Sequence, residues 1–229
     1  MATTPSERLY ARVRATLEST PAATTRTSTR IVAALAIVPV LTAIIVLIAS
    51  ELVYGQPAAG LAIAVGSRAA LLTVLVLLAA VALVSTSFAL RQGRSGLGIG
   101  SAWLVSIAAL VVPVYAALTV LRPVHSGAAE EIALTGVVIS PWGLRCLFIA
   151  TLVSAGVLVI LAGALRRAVA VSSNLRGAAL GAAAGAWGGL AVFAFCPSGE
   201  PQHLLVGHVL PVAIFTLLGG VVLARALRP

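Results

Sequence analysis

Residues 146–196 read CLFIATLVSAGVLVILAGALRRAVAVSSNLRGAALGAAAGAWGGLAVFAFC. Two apolar runs, Cys146–Leu165 and Gly177–Phe195, flank a short turn carrying Arg166, Arg167 and Arg176. A helix rises ~1.5 Å per residue and the hydrocarbon core of a bilayer is ~30 Å thick, so about 20 apolar residues make one crossing. The stretch therefore reads as two membrane-spanning helices joined by a basic turn. The first run begins at a cysteine and the second is followed by one, and these are the chain's two thiols.

Outward from this pair the pattern repeats. Further apolar runs lie at Ile31–Ser50, Ala69–Leu90, Ile99–Leu121 and Leu204–Leu223. The chain has 229 residues, 60% hydrophobic and 9% charged, which is the composition of an integral membrane protein. The expected fold is all-α: an integral membrane bundle of six transmembrane helices over residues 31–229, preceded by an N-terminal arm over residues 1–30. That leaves no room for a soluble enzyme domain. The first run lies too far in and is too long for a cleavable signal, whose apolar core is ~7–15 residues.

The net charge of +9 is unevenly distributed. The chain has neither lysine nor aspartate. With the N-terminus, loops 2–3 and 4–5 and the C-terminus on one side, that side holds Arg8, Arg12, Arg14, Arg26, Arg30, Arg91, Arg94, Arg166, Arg167, Arg176, Arg225 and Arg228. The other side holds Arg68, Arg122 and Arg145 with Glu51, Glu130, Glu131 and Glu200. By the positive-inside rule both termini of this multi-pass membrane protein are expected in the cytoplasm. The basic surplus then needs no direct nucleic-acid partner; the lipid bilayer accounts for it.

In the arm, Thr4-Pro5-Ser6-Glu7 has the form of a capping box and opens an expected helix that stops near Pro21. Leu9, Val13 and Leu17 recur along one face, and residues 21–30 read as a polar linker. Such a helix suits a solvated tail, an attachment to the inner leaflet through its arginines, or a partner-binding face on a tether. In the fifth run Gly177, Gly181 and Gly185 repeat every fourth residue, a surface for close packing against a neighbouring helix. Pro39, Pro113 and Pro211 fall inside runs one, three and six, where each removes a backbone hydrogen bond.

Cys146 stands 20 residues before Arg166, and Cys196 20 residues after Arg176. If both arginines mark the inner interface, both thiols lie ~30 Å above it, at the outer one. Helices joined by a short turn are neighbours, so the sulfurs can meet if the helix rotations agree. Outside the cell, disulfides persist and thiolates take soft metals. The pair is thus a candidate metal or redox site, as a disulfide or a transient heavy-metal site with no standing cofactor; otherwise the thiols fill space as small apolar groups. His125 and His203 read as interfacial polar anchors, and His208, one turn deeper, as an additional candidate ligand. No zinc-finger spacing, P-loop, HExxH motif or intramembrane aspartate pair is present, so no enzymatic activity is expected.

Gly143-Leu144-Arg145-Cys146, Leu165-Arg166-Arg167, the small-residue helix, Cys196-Pro197 and His208 with Pro211 together resemble the NrsF family. These are six-span inner-membrane anti-sigma factors for extracytoplasmic-function sigma factors. The span pattern agrees over about residues 31–229, and the motifs lie in about 140–229. The resemblance implies that the arm holds a sigma factor; the arm has no stretch that matches the family residue by residue, and the face read from spacing, Leu9, Val13 and Leu17, is the candidate surface. It also implies that Cys146 and Cys196 sense heavy metals on the periplasmic side. The family often has tryptophan directly before the histidine matching His208; this chain has Gly207. The competing readings are a small transporter or channel, disfavoured by the lack of charged residues at membrane depth, and a structural subunit whose disulfide staples helices four and five.

Overall fold

In the computed structural model the described residues are 25–54, 68–90, 101–120, 141–165, 173–196 and 201–223, with residues 11, 15 and 225. They form helices throughout, with no strand among them. We number the helices α1 (Thr25–Tyr54), α2 (Arg68–Leu90), α3 (Ser101–Val120), α4 (Pro141–Leu165) and α5 (Ser173–Phe195). The last, α6, is continuous but changes its winding: an α turn Pro201–Leu204, a π turn Leu205–Val209, an α segment Leu210–Leu218 and a π turn Gly219–Leu223. Proline opens both α4 and α6, where a missing N–H costs no helical bond.

Five of these helices are long and apolar enough to cross a membrane, and the chain is a membrane protein. The third, α3, is a 20-residue helix whose described apolar part is Trp103–Thr119. α1 also begins earlier than expected. Thr25–Arg30, assigned above to the linker, continues the helix of the first span, since a polar turn adds to a formed helix at little cost once nucleation is met. The arm's Leu9, Val13 and Leu17 lie outside the described residues.

The bundle is organised around α5, which touches each of the other helices. From Arg176 onward nearly every α5 residue is buried. α5 is also the least apolar of the five long spans, whereas the most apolar, α1, turns Val32, Ile37, Val40, Ile44 and Leu47 outward. In lipid this arrangement is natural: apolar side chains gain nothing by leaving hydrocarbon, so the centre goes to the helix that others can approach most closely.

The glycine stripe faces α6. A Cβ on Gly181 would collide with the backbone carbonyl of Phe215, and one on Gly185 would lie 2.5 Å from Val212 Cα. On the facing side Gly219 meets Gly177 in the same way. Backbone thus lies directly on backbone, and a side chain at either contact would force the helices apart. The hydroxyls of Thr42, Thr86, Thr119 and Thr216 donate to carbonyls one turn back, at 2.7–2.8 Å, which satisfies them without water. Thr86 also accepts from Trp187 Nε1 at 3.0 Å, tying α2 to α5.

Candidate functional site

At the opposite end of the α5–α6 contact from Gly177 and Gly219, four polar side chains gather. Cys146 lies in the second turn of α4, and Cys196 directly follows α5. Their sulfurs are 3.7 Å apart, with Cys146 donating to Cys196. The two are not joined as a disulfide. Cys196 Sγ also lies 3.1 Å from His203 Nε2 on the first turn of α6. His208 completes the group: its ring is 5.7 Å from that of His203, and Phe193 packs edge-on against it at 6.2 Å. One ligand atom from each of the four residues lies within 4.8 Å of all the others. All four are 5% exposed or less.

The local winding of α6 explains why both histidines arrive. In an α-helix, residues five apart point about 140° away from each other. Here the Leu210 N–H donates to the Leu205 carbonyl, an i→i+5 bond. Such bonding brings positions five apart onto one face, and π turns of this kind recur at functional sites. Pro211 supplies the local reason. It has no N–H to give, and its ring crowds the carbonyl four residues back, that of Gly207; a wider turn relieves both. Gly207 itself faces Cys146, where a Cβ would stand 2.9 Å from Cys146 Cβ. A side chain at this position would press on Cys146.

The surroundings are apolar. Ala150 of α4 and Val192 and Phe195 of α5 pack with the two cysteines, and Val46 of α1 and Ile149 cover them. Below the site, Gly189 lets α5 approach the Tyr115 hydroxyl and the His208 carbonyl. Cys196 lies one residue beyond the end of α5. The hydrogen bond from Cys146 holds its thiol well below the usual range, and His203 and His208 add to this, while burial acts the other way. Such a cluster can react in two ways. Two thiols can give two protons and two electrons to an oxidant and close as a disulfide, or thiolates and imidazoles can bind a soft or borderline metal.

The structure thus brings Cys146, Cys196 and His208 together. It also moves His203 out of its expected role as a polar anchor and into contact with Cys196. The five-residue spacing of the histidines, with proline three residues on, was the available sign of this. His125 lies outside the described residues.

The model of a protein family described as negative regulator of sigma F, NrsF, matches residues 16–228. The chain belongs to the NrsF family. Its function is accordingly negative regulation of a sigma factor, and a sigma factor is its partner. The match spans all six helices and both cysteines, and it starts within the arm. No curated protein and no solved structure gives a significant match to the chain.

Proposed function

We propose that the chain is a six-span anti-sigma factor of the bacterial inner membrane with both termini in the cytoplasm. It holds an extracytoplasmic-function sigma factor on its N-terminal arm and releases it when a periplasmic metal or oxidant reaches Cys146 and Cys196. The arginine distribution supports the orientation. One observation carries the link between signal and response. Val46 of α1 packs on the cluster that contains Cys146 and Cys196, and α1 is the helix that follows the arm. A change at the thiols therefore acts on the wall through which α1 is seated. The signal must favour one seating over the other, by ~1–3 kcal/mol for a typical coupling.

Co-purification from membranes tests the reading. A sigma factor should accompany the wild-type chain and be lost from the double variant Val13→Glu, Leu17→Glu. Cadmium or a mild oxidant should release it from the wild type. Undiminished capture by the double variant would remove the arm from the mechanism.

A further inference from the structure

Four ligand atoms of two kinds, two sulfurs and two imidazole nitrogens, meet in one buried pocket. They come from α4, from the end of α5 and from α6. A tetrahedral zinc site with Zn–S of ~2.3 Å has sulfurs ~3.8 Å apart, by the geometry of the tetrahedron. The separation here is 3.7 Å. The other atoms lie within 4.8 Å, so a small inward movement closes the set.

We propose that Cys146, Cys196, His203 and His208 form a single tetrahedral site for a borderline divalent cation, zinc or cadmium. The proposal rests on the sensor reading for its consequence and extends the cysteine pair to four ligands. Charge favours it. On binding, the thiols give up their protons to water, and two thiolates with one divalent cation and two neutral imidazoles sum to zero. A neutral group is the form that can remain in a pocket with these burials, whereas the thiolates alone would be a buried double negative charge. The donor set selects the metal: thiolate and imidazole suit zinc and cadmium, whereas magnesium and calcium need oxygen. His203 lies on the first turn of α6, and all four ligands are buried.

Two features shape the site without ligating. The π turn Leu205–Val209 sets both imidazoles on one face. Gly207 leaves room for Cys146. Binding would fasten α6 to α4 and α5 at the end away from Gly177 and Gly219.

The test uses the full-length reduced protein in detergent or nanodiscs, stripped with a chelator and titrated with zinc or cadmium. One cation per chain is expected, with a thiolate-to-cadmium charge-transfer band. X-ray absorption of the zinc form should show two sulfurs at ~2.3 Å and two nitrogens at ~2.0–2.1 Å. His203→Ala and His208→Ala should each weaken binding by more than ~10-fold, at least the loss seen when supporting residues are removed. Cys196→Ser should abolish the band. If a variant does not fold, the absorption spectrum of the wild type still decides. A shell without nitrogen, histidine variants that bind as the wild type does, or no bound cation would each overturn the four-ligand site. Sigma-factor capture is measured separately, so its survival under those outcomes leaves the anti-sigma reading standing. Loss of capture with the metal shell intact would do the reverse.

Discussion

The two ends of the α5–α6 contact are built on different principles. At one end, Gly181 and Gly219 leave no room for a Cβ against the facing backbone, that of Phe215 for Gly181 and that of Gly177 for Gly219. At the other, Cys196, His203 and His208 meet through polar side chains around a π turn. The glycine end is held by shape and dispersion and has one good arrangement. The cysteine–histidine end is held by groups whose bonding changes with protons, electrons or metal. A helix pair packed by shape at one end and chemically adjustable at the other can pivot, the movement that the proposed sensing calls for.

Three substitutions probe this contrast. Gly181→Leu should have the largest effect. Its side chain meets the Phe215 carbonyl and cannot be relieved by a rotamer change, so destabilisation of more than ~3 kcal/mol is expected. Thermal unfolding in detergent should show it, and a variant that unfolds as the wild type does would refute backbone contact at this end. Cys146→Ala should cost only ~1–2 kcal/mol by the same measure, as a small buried group is removed. Yet it should abolish the response of a sigma-dependent reporter to cadmium or oxidant. A preserved response would leave the polar end a packing feature. Gly156→Ala, on α4 with nothing within 4 Å of the new methyl, should change stability least, by a gain of ~0.5–1 kcal/mol. A loss there would mean that glycine itself, rather than close approach, governs the effect at Gly181.

Much of the fold was legible because lipid leaves the backbone few options. An apolar run of about 20 residues must be a helix to satisfy its own hydrogen bonds, and each of the six runs holds a helix among the described residues. The glycine period announced a close contact but did not name the partner, because α5 touches every other helix and all sides compete for the stripe. At the site, counting from Arg166 and Arg176 set the height of Cys146 and Cys196, since rise per residue is fixed. Rotation is not fixed by counting. His203 shows the consequence: regular α winding would turn it away from His208, and only the π turn before Pro211 brings both to the thiols.

Composition and charge by themselves determined that this chain is a helical membrane protein and that its two cysteines stand at one level. The tertiary structure decided which helix is central, which glycines touch backbone, and that two histidines join the thiols. The physical reason is the range of the forces. Burial in lipid and backbone hydrogen bonding act along a single helix and can be read residue by residue. Helix rotation and close packing depend on the facing surface, which no single segment contains.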